Sequence, residues 1–304
     1  MKVFVAGGSG TIGVPLVRAL VAAGHEVTAL TRSVDKQDEL RALGASAAVA
    51  DALDRETLIA AVETAHPAAV IHQLTALPKD APRRPGDLDA TNRLRVDGTR
   101  NLLEAAILTS ARRFLVGSFA LLSPRPRGPA DADFDDAAAA AVRSMENQVL
   151  DATRRGSIEG VILRYGMFYG LETPSTQAMI NMVRKRRLPV VRNDTGQLPV
   201  IHIDDAVSAT VRALELAPAG ATYDIVDDRA ASLTEIADAL AEYTGSPKPL
   251  RVPGWLPRLV APDMARVTST RMPLSNARAK AELGWQPKYP TLRDGLAQMF
   301  RHAA

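Results

Sequence analysis

The sequence predicts an α/β protein built on a doubly wound parallel sheet, followed by a smaller C-terminal portion. Three patterns carry this prediction. An apolar first strand breaks into a glycine-rich turn, apolar strands recur with helices between them, and this rhythm is lost after residue 170. Strands that alternate with helices form right-handed crossovers, which give a parallel sheet covered by helices on both faces.

The first element is a strand that leads through a glycine turn into a helix. The run Val3-Phe4-Val5 predicts a buried strand, Gly7, Gly10 and Gly13 follow three residues apart, and helical apolar spacing begins at Ile12. Glycines allow a tight turn and a close backbone approach to a pyrophosphate, to which the helix N-terminus offers unpaired N–H donors. This arrangement predicts a Rossmann-type dinucleotide-binding unit. The alternative is a glycine turn used only for packing.

The second strand, residues 26–31, is where such a unit selects its cofactor. An acidic residue at its end binds the ribose 2′-hydroxyl of NAD, whereas an arginine accommodates the 2′-phosphate of NADP. Here the strand ends in Thr31-Arg32-Ser33, with no carboxylate before Asp35. We therefore expect NADP, with NAD as the less favoured cofactor, and an exposed loop arginine as the alternative interpretation of Arg32.

Further apolar strands are predicted at 47–50, 68–72, 113–118 and 160–164. After residue 170, Pro and Gly interrupt the pattern. We therefore predict a NAD(P)-binding domain over 1–170, with strands contributed from about 200–227, and a smaller substrate-binding portion over 171–304.

Composition sets limits on the chemistry. The chain has 304 residues, a net charge of +3 and no cysteine, which excludes disulfides, thiolate catalysis and zinc–thiolate sites. No apolar run approaches 18 residues and the chain enters a strand at once, so we expect a soluble cytoplasmic protein that binds neither membrane nor nucleic acid. The basic run 184–187 is interpreted as a solvated helix face or as an attraction for an anionic substrate.

Several segments together resemble the extended short-chain dehydrogenase/reductase family, its epimerase/dehydratase group. They are the glycine turn, residues 70–73, Asn92 with 97–103, the loop 164–170, the segment 201–205 and the C-terminal segment 275–287. They cover most of the chain in the order that the family has.

The resemblance implies a role for each matching residue. The pyrophosphate would be held by Gly7, Ser9, Gly10, Thr11, Ile12 and Gly13, the adenine bordered by Asp51 and Ala52, and the rest of the cofactor contacted by Thr75, Ala76, Tyr165 and Gly166. His72, His202, Arg164 and Asp205 would be structural, and no metal is expected. The helices near 89–108 and 137–154 are those with which the family forms dimers, so we expect a homodimer.

The family's proton-transfer pair, a Tyr with a Lys four residues later, has no counterpart here. None of the five tyrosines is followed by a Lys at that spacing. The helix near 137–154 can be aligned with the family's catalytic helix in two registers. One register places Ala138 and Val142 at the positions of the Tyr and the Lys, and the other places Ala141 and Met145 there. In the family the phenol moves the proton while hydride moves at the nicotinamide, so a replacement donor is needed.

Three residues are candidates for the missing chemistry. Ser118 ends a strand and is the best match to the family's assisting serine, although a shift of one residue would put Phe119 at that position. Ser118 could also only bond backbone. Tyr165 and Tyr169 lie in the loop that the resemblance puts near the nicotinamide, and we prefer Tyr165. A water near Ser118 is a further possible donor, and ring packing against the cofactor is the alternative role for either tyrosine.

Two departures bear on the substrate. Family members that act on nucleotide sugars have an Asn where this chain has Met167 and an Arg where it has Leu198, and both help to hold the diphosphate. We therefore predict an NADP-dependent oxidoreductase acting on a small, largely apolar carbonyl or alcohol. The alternatives are a catalytically silent NADP(H)-binding sensor or assembly protein, a non-redox isomerase, lyase or cyclase, and a nucleotide-sugar epimerase or dehydratase.

Overall fold

A seven-stranded parallel sheet forms the centre of the molecule, with strand order β10-β6-β5-β4-β1-β2-β3. The computed structural model describes residues 1–78, 86–123, 136–192, 194–260, 271–272 and 274–301. The sheet strands are β1 (Lys2–Ala6), β2 (Glu26–Thr31), β3 (Ser46–Val49), β4 (Ala69–His72), β5 (Arg113–Phe119), β6 (Glu159–Tyr165) and β10 (Thr222–Ile225).

The α/β fold predicted from the sequence is confirmed. All sheet pairings are parallel, with Val3 opposite both Val27 and Ala69. The second strand has the predicted bounds, and the other predicted strands differ by one residue at their ends. The chain order reverses between β1 and β4, and ligands of open α/β sheets bind at such a switch point, beyond the carboxyl ends of the strands.

Helices cover both faces of the sheet and extend into the C-terminal portion. They are α1 (Gly13–Ala22), α2 (Gln37–Ala42), α3 (Arg55–Ala65), α4 (Asp89–Arg93), α5 (Thr99–Leu108), α6 (Asp136–Arg154), α7 (Pro174–Arg184), α8 (Ile203–Leu216), α9 (Leu233–Tyr243), α10 (Trp255–Val260), α11 (Ala277–Leu283) and α12 (Leu292–Arg301). A five-residue π-helical segment, Leu94–Gly98, joins α4 to α5. No helix in the described part of the chain is long and apolar enough to cross a membrane.

Three apolar clusters form the interior. One joins α1 and α8 to a face of the sheet through side chains such as Leu16 and Val207. A second joins α3, α5 and α6 to the opposite face, with Leu102 and Met145 among its members. The third lies under α7, α9 and α12 in the C-terminal portion.

The segment after β6, expected to be a loop, contains a short strand. Strand β7 (Met167–Tyr169) pairs in parallel with β9 (Val200–His202), and Met167 N–H donates to the carbonyl of Pro199 at 2.8 Å. A second small pair joins β8 (Val190–Val191) to β11 (Arg251–Val252). A Cβ on Gly166 would lie 2.9 Å from the backbone of Val200, so glycine is required where β6 turns into β7.

Candidate active site

The turn between β1 and α1 is shaped for a close approach by a ligand. Gly7 has φ +91°, and a Cβ there would lie 2.8 Å from the carbonyl oxygen of Gln73. A Cβ on Gly13 would overlap the carbonyl oxygen of Gly7, so both positions require glycine. Ile12 stands at the N-cap of α1 without a side-chain cap, and residues 9–11 are open to solvent or half-buried. The glycine turn and the N-terminus of α1, with its positive end of the helix dipole, fit a dinucleotide pyrophosphate.

The end of β2 presents a cation, Arg32, that has no ion-pair partner among the described residues. Arg32 is exposed, and no described carboxylate lies within ion-pair distance of its guanidinium. The loop around it is ordered by Thr31, whose Oγ1 accepts from the N–H of Ser33 at 3.2 Å and lies 3.4 Å from Oγ of Ser9. Arg32 is therefore held beside the glycine turn and is free to meet an anion.

The positions expected to border the cofactor also lie at the carboxyl edge of the sheet. Asp51 follows β3 and accepts from the N–H of Leu53 at 2.9 Å, and the carbonyl of Ala52 accepts from Asn101 at 3.0 Å. Thr75 is exposed beyond β4, next to Ala76. These residues, like the glycine turn, follow the carboxyl ends of neighbouring strands.

Tyr165 is buried at the end of β6, on the sheet face that packs against α8. Its hydroxyl lies 2.7 Å from Oγ1 of Thr210 and accepts from Nε2 of Gln73 at 3.0 Å. Burial raises the pKa of the Tyr165 phenol to about 12, although the two hydrogen bonds lower it. The Gln73 side chain reaches Tyr165 by crossing Gly117, where a Cβ would overlap the Gln73 amide oxygen.

Ser118 lies on the opposite face of the sheet and belongs to a buried polar cluster. Its hydroxyl donates to Glu146 on α6 at 2.6 Å, and Ser123 donates to the same carboxylate at 3.1 Å. Arg164, opposite Ser118 in the β5–β6 register, completes the cluster with two hydrogen bonds to Glu146, of 3.0 and 2.6 Å. Glu146 is only 1% exposed, so α6 is fixed to the sheet by a buried bidentate ion pair.

The α6 positions that the resemblance pairs with the family's Tyr and Lys are apolar and buried. Ala138 and Val142, the pair in one register, are at most 1% exposed. Ala141 and Met145, the pair in the other, are at most 4% exposed. In neither register does the side chain carry a proton that could be transferred at neutral pH.

Tyr169 lies in a separate buried cluster near the C-terminal helices. Its hydroxyl donates to Asp227 Oδ2 at 2.9 Å and approaches the carbonyl oxygen of Thr291 at 3.3 Å. Burial, and the charge that Asp227 carries once it is ionised, raise the pKa of the Tyr169 phenol far above its usual value. The structure therefore brings together neither Tyr169 with Tyr165 nor either phenol with Ser118.

The histidines at the ends of β4 and β9 form hydrogen bonds with hydroxyl and backbone groups. Nε2 of His72 lies 3.0 Å from Oγ1 of Thr99, and burial lowers the pKa of His72 to about 4. His202 accepts from the N–H of Asp204 at 3.2 Å, where it caps α8. Within the described ranges, no three His, Asp or Glu side chains are placed to hold a metal ion.

Several polar residues of this region carry no signal in the sequence that would mark them. Gln73 bonds Tyr165 across 92 positions of sequence, and Asp227 bonds Tyr169 across 58. Arg95, which is buried in the π-helical segment, is equally unmarked. No spacing pattern identifies such residues, because only the crossing of distant strands and helices gives them their surroundings.

Comparison with known proteins identifies the family. The sequence model of the NAD dependent epimerase/dehydratase family matches residues 3–226. "3-diazoavenalumate denitrifying reductase" from Streptomyces sp. is 36% identical over 313 aligned positions, which cover 98% of this chain and 100% of the relative. "2-alkyl-3-oxoalkanoate reductase" from Stenotrophomonas maltophilia is 28% identical, and the match covers 82% of this chain and 77% of the relative.

Solved structures of the same architecture support the fold. UDP-glucose 4-epimerase from Thermotoga maritima superposes with a TM-score of 0.80 at 20% identity, covering 100% of this chain and 98% of that one. The UDP-glucose 4-epimerase of Thermus thermophilus, solved with NAD, gives 0.76 at 24% identity, with 99% and 98% covered. With its glycine turn, parallel sheet and reductase relatives, the chain belongs to the NAD-dependent epimerase/dehydratase family and is an NAD(P)-dependent enzyme of the oxidoreductase or epimerase type.

Proposed function

We propose that this protein is an NADPH-dependent reductase whose acceptor takes a hydride without a proton from a protein side chain, and that the acceptor is an arenediazonium ion. The observation that carries the proposal is the apolar, buried character of the α6 positions Ala138 and Val142, or Ala141 and Met145 in the other register. The hydroxyls of the three candidate donors, Tyr165, Tyr169 and Ser118, are each engaged with protein partners.

The reaction balances without a general acid. When bound, the reduced nicotinamide supplies a hydride, so that Ar–N₂⁺ and NADPH give Ar–H, N₂ and NADP⁺ with the C–N bond broken and no proton consumed. Reduction of a ketone differs, because the oxygen must receive a proton as the carbon receives hydride. The described part of the site, in which the candidate hydroxyls are engaged with protein partners, is therefore suited to the first reaction.

The chain's own residues position the reactants. The glycine turn and the open end of α1 fit the pyrophosphate, and Arg32 fits the 2′-phosphate that distinguishes NADP from NAD. Apolar side chains on α6 keep water from the reactive group, which matters because water converts a diazonium ion into a phenol. Ser118 donates a hydrogen bond to Glu146, whose charge is compensated by Arg164.

The relative with 36% identity supports this acceptor, since its name describes a diazo compound and its denitrification by a reductase. The match covers 98% of this chain and the whole of the relative, whose substrate name is that of an acid anion. Nucleotide-sugar chemistry is less favoured, because Met167 and Leu198 stand where sugar-nucleotide enzymes hold the diphosphate.

To test the proposal, NADPH and 4-carboxybenzenediazonium are added to the purified protein. We expect NADPH oxidation at 340 nm to match benzoate and N₂ formation in a 1:1:1 ratio. Gly13→Val, in which the added side chain overlaps the Gly7 carbonyl, is the matched control for spontaneous decomposition of the reagent. Rapid oxidation of NADPH by ketones, with none by the diazonium ion, would contradict the proposal.

A second candidate is reduction of a ketone with Tyr165 as the acid, which the 2-alkyl-3-oxoalkanoate reductase relative favours. The two candidate functions predict different turnover rates for the Tyr165→Phe variant. If Tyr165 donates the proton, turnover falls by roughly 100-fold or more. If the acceptor is a diazonium ion, turnover stays within about threefold, because the phenol only contributes hydrogen bonds to Thr210 and Gln73.

A further inference from the structure

Among the residues that the structure describes, no carboxylate is placed to pair with Arg95, which is a buried cation. Its side chain is in the π-helical segment and the residue is 7% exposed. Among the described residues it donates one hydrogen bond, to Oδ1 of Asn92 at 3.3 Å, and no carboxylate there lies within ion-pair distance. Burial lowers the pKa of Arg95 to about 10, so the guanidinium is charged at neutral pH.

Such an arrangement is costly in the free protein. Buried charges in folded proteins are paired or bind ions, because removing an unpaired ion from water costs several kcal/mol. The half-buried Arg164 follows this rule through its ion pair with the buried Glu146. Arg95 departs from it, and π-helical segments within α-helices occur frequently at functional sites.

The position of Arg95 connects it to the candidate active site. Thr91, one turn earlier, accepts from the N–H of Ala76 at 3.0 Å and ties α4 to the segment after β4. Gln148 on α6 donates to the carbonyl of Val96 at 3.1 Å. The charge of Arg95 also acts on His72 at the end of β4, where it helps to lower the histidine pKa. Arg95 thus lies between the carboxyl edge of the sheet and α6.

We propose that Arg95 binds an oxyanion of the ligand in this site, and that this oxyanion is the carboxylate of an aromatic acid substrate. The guanidinium fork matches a carboxylate in two parallel hydrogen bonds, which would supply the missing countercharge. The choice of a carboxylate rests on the proposed function. The binding of an oxyanion by Arg95 does not rest on the proposed function, because a phosphate of the dinucleotide could be bound by the same guanidinium.

The experiment measures binding rather than turnover and uses no diazonium compound. The probes are 4-hydroxycinnamate, its methyl ester and NADPH, titrated into the full-length protein and followed by calorimetry. We expect the wild-type protein to bind the acid at least roughly tenfold more tightly than the ester, and Arg95→Met to reduce this ratio to about one. The matched control is Arg93→Met, because Arg93 is exposed and lies two positions before Arg95. This variant should retain the wild-type ratio.

The two sources of the oxyanion are separated by the NADPH titration. Loss of the acid-over-ester preference with unchanged NADPH affinity assigns Arg95 to the substrate carboxylate. A loss of NADPH affinity of roughly tenfold or more in Arg95→Met assigns it to a cofactor phosphate. The proposal is overturned if the wild-type protein does not distinguish acid from ester and Arg95→Met binds NADPH normally. These outcomes hold whether or not the protein reduces diazonium ions.

Thermal unfolding of the ligand-free variants supplies a second readout. Since the charge is unpaired in the free protein, Arg95→Met should melt at the wild-type temperature or higher. A fall of several degrees in both Arg95→Met and Arg95→Gln would show that Arg95 supports the fold, and would also overturn the proposal. Arg95→Lys keeps the charge and should retain part of the preference for the acid.

Discussion

Arg32 carries the cofactor preference that we propose, because it is the unpaired cation at the end of β2. Replacing it by Ala removes the planar donors that a 2′-phosphate would bind. We expect Arg32→Ala to weaken NADPH binding by roughly 10- to 100-fold and to change NADH binding by less than about threefold. Fluorescence titrations with each cofactor measure both constants.

The control for this prediction is Arg18→Ala. Arg18 is an exposed arginine on α1, and its removal changes the net charge by the same amount. It should leave both affinities close to those of the wild-type protein. Tighter binding of NADH than of NADPH by the wild-type protein would contradict the assignment of Arg32.

At the scale of elements, helix α6 depends on the buried pair between Glu146 and Arg164. Glu146→Gln keeps the size of the side chain but removes the charge that compensates the guanidinium. Removing one partner of a buried ion pair destabilises a protein strongly, so we expect the free energy of unfolding to fall by roughly 3 kcal/mol. Urea unfolding followed by circular dichroism measures the change.

The matched control is Glu104→Gln, which breaks the exposed bidentate pair between Glu104 on α5 and Arg55 on α3. Exposed pairs are screened by water and contribute little, so this variant should unfold close to the wild-type midpoint. Equal losses in the two variants would show that the Glu146 cluster adds nothing beyond a surface ion pair.

The sequence predicts these elements better than it predicts the contacts between them. Strand β2 has the bounds that its sequence predicts, because alternation of apolar residues and the flanking Gly24 are local signals. The glycine turn is equally predictable, since a steric requirement is expressed in the residue itself. The cluster of Ser118, Glu146 and Arg164 needs three elements to converge, and no local pattern records that convergence.

The same limit explains why the sequence does not single out Arg95. A polar residue in a helical pattern is expected on the solvent side, and Arg93 and Arg100 are indeed exposed. The π-helical segment inserts an extra residue into the turn and changes the direction of the following side chains. Arg95 is thereby directed inward, which a regular helical period does not predict.

At the scale of the whole molecule, Asp227 connects the main sheet to the C-terminal portion. It follows β10, is 4% exposed and accepts from Tyr169 at the end of β7, which also approaches the segment before α12. Burial raises the pKa of Asp227 from 3.8 to about 8, and the nearby charge of Asp205 contributes to the rise. The carboxyl group is therefore protonated in the folded protein at pH 7.

The stability of the molecule should consequently fall as the pH rises toward 8. The folded state holds a proton on Asp227 that the unfolded state has lost above pH 3.8, so raising the pH through the folded pKa of about 8 removes this stabilisation. His72 and His202 act in the opposite sense, since their pKa values are lowered from 6.5 and stability is lost as the pH falls below that value. Between pH 6.5 and 8, the effect of Asp227 on stability can therefore be measured apart from the effect of the two histidines.

We expect the free energy of unfolding of the wild-type protein to decrease across this window by at most about 1.4 kcal/mol per pH unit. Asp227→Asn, which keeps the bond from Tyr169 but cannot ionise, should make the profile flat. Asp228→Asn is the control, because Asp228 pairs with Lys280 and its pKa is lowered, so it stays ionised throughout the window. Urea unfolding at half-unit steps of pH measures all three profiles, and equal slopes for the wild-type protein and Asp227→Asn would show that Asp227 is already ionised in the folded state.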